Sequence, residues 1–438
     1  MNAEVRPLRT AAESALAESF ALARDRLPGA DGVAALRDEA FRRFQAEGLP
    51  SRRVEEWKYT DLRALMREAK PLALLPDAAA KRRATQSGRP LSIEARRIVL
   101  VDGSFVPELS DLADLEPGLA VRSMAAALAT GDPQVVGRIG KVVPTADLAV
   151  ALNTAFMGDG VLITIAPGAT LVRPLQLAFI NGGSGAGAVF MRSLAIIGQG
   201  ARAMLVESHE GSGDFQVNTA LELEIDDASH VDYVKITRSG TLHVSTLMAA
   251  VGARARFNAF LFTAGGQIVR NQLFLQLKGE GTVAGMRGAS LLRGRQHVDT
   301  TLVADHIAQG CTSREMFKSA VDEEARSVFQ GKIIVRPNAQ KTDARMATHA
   351  LLLSEAAEAD NKPELEIFAD DVQCGHGATA GALNEELLFY LRARGVPEKE
   401  AQALLVQAFI GEAVEGIEHA GLRDALMEEA VAWLAART

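Results

Sequence analysis

Between about Leu152 and Glu355 a short motif returns at nearly even intervals, and an interval of that size admits few architectures. The motif is a tight turn ending in Gly-Ala or a near equivalent, followed by alternating apolar residues. It stands at Gly168-Ala169, Gly200-Ala201, Asp227-Ala228, Gly252-Ala253, Glu280-Gly281 and Glu324-Ala325. The second residues lie 32, 27, 25, 28 and 44 apart, so the last gap has room for one more coil without the motif. A loose repeat of about 25–30 residues, each with two or three short strands, is the pattern of a β-solenoid. A β-sandwich with regular turns is the competing architecture. Aromatic residues are only 5% of the chain, which favours the narrow solenoid interior, where Val, Ile, Leu and Ala stack.

Helical periodicity flanks this region. Leu36, Ala40, Phe41 and Phe44 recur at helical spacing until Gly48 and Pro50 stop them. Arg82 to Pro90 is polar and basic and reads as a linker. Arg97 to Val101 then meets Asp102-Gly103, a strong hairpin turn, before Ser104-Phe105-Val106. At the other end Asn384 stands at the cap of a helix that Gly395 and Pro397 end. In the next helix Ala401, Leu404, Leu405, Ala408 and Phe409 share one face, and a last helix covers Leu422 to Leu434. The expected organisation is an N-terminal helical domain (1–90), a β core (91–383) and a C-terminal helical domain (384–438), mainly β in class.

With no apolar run of 18 residues and no basic start before an apolar core, neither a membrane span nor a secretion signal is expected. Two cysteines, Cys311 and Cys374, do not make a disulfide framework, so a reducing cytoplasm is the expected compartment. The net charge of −8 is uneven. From Glu355 onward there are 17 acidic residues against 6 Lys and Arg, which argues against nucleic acid as a partner.

Cys374-Gly375-His376 is the densest chemistry in the chain. On a strand, residues i and i+2 leave the same face about 6–7 Å apart. A thiol and an imidazole so placed can hold iron, but two cysteines cannot supply a four-thiolate cluster site within one copy. The bland alternative is a strand-end cysteine beside a histidine bonded to the backbone. Asp305-His306 with Cys311 offers a second ligand group, against a buried structural cysteine. Glu207 and His209 have ligand spacing of the kind a solenoid face shows by chance. The glycine-rich stretch from Gly182 to Gly187 leads into a strand-like segment and lacks a Gly-Lys-Ser/Thr ending, so it is read as a turn and not a phosphate loop.

Several long motifs carry a resemblance, in order, across most of the chain. They include Arg52 to Leu62 (with Glu55-Glu56-Trp57-Lys58-Tyr59-Thr60), Gly310 to Glu315, Phe329 to Ile333, and Ala339 to Asp343. Lys362 to Ile367, Asp370 to Thr379 and Phe389 to Gly395 continue the series. These resemble the SufB/SufD family of the SUF iron–sulfur cluster assembly machinery, and the scarcity of cysteine is similar to its SufD-type members. The resemblance implies a right-handed parallel β-helix flanked by helical domains and a non-catalytic scaffold role. It also implies pairing with a SufB-like paralogue and docking of a SufC-like ABC ATPase on the C-terminal helices. It places a transient iron–sulfur cluster or iron at a shared subunit boundary, with His376 and Cys374 as metal ligands and reduced flavin as an open candidate on the complex. Unpaired solenoid edges lead us to expect a homodimer when the chain is alone. A purely structural activator of the ATPase is the alternative within this setting. A polysaccharide-active β-helix enzyme is the alternative outside it, opposed by the two Trp and three Tyr available as sugar platforms.

Overall fold

The computed structural model describes residues 9–87, 91–182, 185–211, 213–238 and 240–436. Its centre is a parallel β-solenoid of about seven turns, with helices toward both chain ends. Each coil contributes one strand to each of two sheets. Successive coils pair in parallel and in register: Leu242 lies between Gln216 and Ile268, each 26 residues away. The period is the one expected, but the strands are longer. Most coils carry two strands of about ten residues, such as Val283–Leu292 and His297–His306, joined by sharp corners.

The corners explain the recurring motif. At one edge of every coil a residue adopts a left-handed backbone: Gly200, Ala228, Arg254, Gly281, Gly310 and Lys341. Each donates its N–H to the next coil's turn, as in Gly281 to the Gln309 carbonyl (3.1 Å) and Gly310 to the Gln340 carbonyl (2.9 Å). A positive φ suits glycine best, and three of these six positions are glycine; beside Gly252-Ala253 the left-handed residue is the next one, Arg254. Gly310 supplies the coil anticipated in the longest gap. Glu324-Ala325 belongs to the opposite corner, next to the left-handed Glu323, so that member of the series was a different turn.

Both outer faces of the solenoid are covered. The N-terminal helices pack Phe20, Phe41, Phe44 and Trp57 against one sheet, reaching Leu242 and Val244. The C-terminal helices pack Val406, Ile410, Leu422 and Leu426 against the other, over Val234, Phe260 and Leu291. Strands buried on both faces read as continuous apolar runs, and every residue of Leu242–Val251 is buried. The segment Glu55 to Thr60 ties the N-terminal region to the wall. Trp57 Nε1 donates to Asp147 (2.8 Å), Arg270 stacks over the Trp57 ring at 3.9 Å, and Glu55 pairs with Lys362 on the last coil.

Three details differ from expectation. Arg82 to Ser87 is the end of a helix, Ala78–Ser87, not a linker; Arg83 Nε donates to the Gly182 carbonyl at 2.6 Å. Residues 88–90 lie outside the described residues. Leu152 is helical too, within Leu148–Phe156, whose nine residues are all buried. An apolar segment without a polar side has no helical period to read. In the helix Glu398–Val414 the buried stripe is Ala401, Val406, Ile410, Ala413 and Val414, while Leu404 and Ala408 are exposed. That helix is apolar on more than one side, and the sheet selects which side is covered.

The two ends of the solenoid are unlike. At the first, the hairpin Arg96–Val101 with Ser104–Phe105 and the antiparallel strand Leu119–Ser123 finish the two sheets. The turn between the hairpin strands has positive φ at both Asp102 and Gly103, as its sequence predicts. At the other end, Glu358–Ile367 and Gln373–Gly381 are each paired on one side only, and neither contains a buried residue.

Candidate functional site

Cys374 and His376 lie on this open last coil, in the strand Gln373–Gly381. In the ladder below them Cys374 faces Ala344 and His376 faces Met346. Ala344 and Met346 are buried in the solenoid lumen, and Arg345 between them is exposed. Parallel in-register pairing keeps side chains on one face, so Cys374 and His376 also point toward the solenoid axis. Cys374 packs against the core and is half-buried. His376 is exposed, because no further coil covers it. The expected geometry of one shared face is thus realised on the last coil, which no further described strand covers.

The electrostatics bear on the thiol and on a buried acid beneath it. Burial pushes the Cys374 thiol up, with the Asp343 and Glu315 carboxylates adding to the effect. Both effects favour the neutral thiol over the thiolate. Glu315 lies two rungs beneath His376 in the same lumen column, through Met346. It is buried and both its carboxylate oxygens lack a hydrogen-bond partner. Burial raises its carboxyl to about 7. In the sequence only the alternation of Ser313, Glu315 and Phe317 hints that this acid points inward. Asp371, a few residues upstream of the pair, is held by Lys341.

The other ligand groups separate or satisfy themselves. Asp305 takes two hydrogen bonds from Arg336 (2.8 and 2.9 Å), His306 Nε2 meets Ser313 Oγ at 2.9 Å, and the Cys311 thiol donates to the Gly279 carbonyl at 3.3 Å. Cys311 follows the left-handed Gly310 and occupies the corner position that Thr282 and Thr342 hold on adjacent coils. It is fully buried there, and burial pushes its thiol up. This is the structural cysteine. Glu207 and His209 hydrogen-bond to each other inside the lumen, and Tyr233 donates to Glu207 at 2.8 Å. Gly183 and Ser184 lie outside the described residues, and Gly187 opens the strand Gly187–Ile197.

Comparison with known proteins identifies the family of the chain. Residues 179–409 match the SUF system FeS cluster assembly, SufBD core domain, and residues 16–177 match the SufBD protein N-terminal region. The chain belongs to the SufBD family. Among SufBD relatives it is 30% identical over 389 residues to the iron–sulfur cluster assembly protein SufD of Escherichia coli, covering 87% of this chain and 88% of that one. It is 29% identical over 395 residues to an iron–sulfur cluster assembly SufBD family protein of Synechocystis, covering 87% and 86%. SufD of Bacillus subtilis is 26% identical over 285 residues, covering 63% and 64%. As a SufD homologue, the chain is thus placed in iron–sulfur cluster assembly. Among its described residues no helix is long and apolar enough to cross a membrane.

Proposed function

We propose that this chain is a non-catalytic scaffold subunit of a SufBCD-type complex, holding a nascent iron–sulfur cluster, the cargo, where its open coil meets a SufB-like paralogue. The uncapped last coil carries the reading. It offers two strand edges whose N–H and C=O groups need partners, around a mouth that displays Cys374 and His376. His376 is exposed, so its imidazole is accessible to iron. Cys374 must first lose a proton that its surroundings hold, so imidazole leads and thiolate assists. Imidazole is a more exchangeable cluster ligand than thiolate, which suits a site that releases its product. The paralogue supplies the remaining ligands, and reduced flavin stays an open candidate on the complex.

The C-terminal helices are the proposed dock for a SufC-like ATPase. The helix Glu385–Ala393 has no buried residue, and Leu387, Phe389 and Tyr390 on it are 51, 74 and 54% exposed. An unpartnered apolar patch of this kind marks a recognition surface. ATP hydrolysis there would shift the two cores relative to each other, coupling the two sites.

Reconstitution of the three-subunit complex with His376→Ala is the test, read by cluster yield and Mössbauer spectrum. A lower yield with altered iron parameters is expected. An unchanged spectrum, with ATPase stimulation still lost on deletion of residues 384–438, would leave only the structural-activator role.

A further inference from the structure

Away from the open end, three potential ligands converge where the C-terminal helices meet the solenoid wall. His230 and Asp232 project from the outer face of the strand His230–Thr237. Glu418 comes from the turn between the helices Glu398–Val414 and Ala420–Ala435. One ligand atom from each lies within 4.8 Å of the others. His230 Nε2 stands 3.6 Å from Asp232 Oδ2 and 3.8 Å from Glu418 Oε1. It is inaccessible to solvent and has no hydrogen-bond partner.

These separations are too long for hydrogen bonds and match ligands sharing one ion. Atoms bound at about 2.1 Å around a tetrahedral centre stand roughly 3.4 Å apart. Asn258 Nδ2 donates to Asp232 Oδ1 at 2.8 Å, which leaves Oδ2 turned toward the imidazole. Orienting a ligand through its other atom is what an outer-shell partner does. A crevice of about 20 Å³ lies beside Asp232, Asn258 and Glu418, space for about one ion or water.

We propose that His230, Asp232 and Glu418 bind a divalent transition-metal ion of the zinc or ferrous class, stapling the C-terminal helices to the solenoid wall. One imidazole with two carboxylates suits these ions better than magnesium or calcium, which take oxygen ligands. A solvent molecule would complete the set. Arg202 and Arg256 flank His230 on the adjacent strands. Both are exposed, where water and salt screen them. Arg287 also lines the crevice, yet among the described residues neither carboxylate pairs with it. The site is independent of Cys374 and His376.

The test is calorimetric titration of Zn²⁺ into the full chain carrying Cys374→Ala and His376→Ala, which removes the open-end ligands. One ion per chain is expected, with a raised melting temperature. Glu418→Gln changes a half-exposed side chain and so keeps the fold; it should weaken binding at least about tenfold, as should Asn258→Ala, which touches no metal. His230→Ala should abolish it. No saturable one-to-one binding by the parent, or equal affinity in Glu418→Gln and the parent, would overturn the proposal.

Discussion

Two thiols, one chemistry apiece, show how position decides a residue's role. Cys311 fills a corner column of small residues, so its removal is a packing question. Cys311→Ser should leave cluster yield on the complex unchanged, whereas Cys311→Leu should cost about 1–3 kcal/mol by overpacking a fully buried site. Glu315 makes a sharper prediction. Its carboxyl sits near 7 in the folded chain against 4.5 when free. A raised acid pKa means that the folded state holds the proton longer. Stability is therefore greatest below about pH 4.5 for this group and falls as pH rises through 7, by roughly 3 kcal/mol in all. Glu315→Gln should raise the melting temperature at pH 8 and flatten its decline between pH 5 and 8.

At the level of elements, the solenoid is a stack of left-handed corners as much as a stack of strands. Gly310 has a φ of 68° with nothing within 4 Å of where a Cβ would stand, so only backbone strain opposes a side chain. Gly310→Val should destabilise by about 1–2 kcal/mol, and Gly310→Asn by much less, in thermal unfolding. The exposed helix Glu385–Ala393 behaves differently. Phe389 is 74% exposed, so Phe389→Asp should leave the melting temperature unchanged while weakening ATPase binding in a pull-down with the purified partner. A fall in melting temperature instead would mean that this helix packs within its own chain.

Considered whole, the molecule is closed at one end and open at the other. The hairpin and antiparallel strand finish the first coil, and the N-terminal segment Glu55 to Thr60 braces the wall as far as Lys362. The last coil has no such finish, and its free edges should pair with a second copy when no paralogue is present. Sedimentation of the isolated chain should show a concentration-dependent dimer that Thr379→Pro, a substitution on the edge strand, disperses. A monomer at all concentrations would argue that this end is not an interface.

The period of the repeat, the helical flanks, the Asp102-Gly103 hairpin and the shared face of Cys374 and His376 follow from local rules, and the sequence carries them alone. Turn chemistry and strand alternation depend on neighbours a few residues away. What lay beyond reach depended on contacts distant in the chain. No local signal says that the run Leu148–Phe156 is a buried helix, or which side of Glu398–Val414 a sheet covers. Nor does one say that Cys311 fills a corner while Cys374 reaches the mouth, since both are cysteines near a histidine. His230 and Glu418 are far apart in sequence and meet only because coils stack in register and the C-terminal helices fold back over them. The chain's own pattern determines that it coils; where the coiling stops, and what is left uncovered there, is settled by packing.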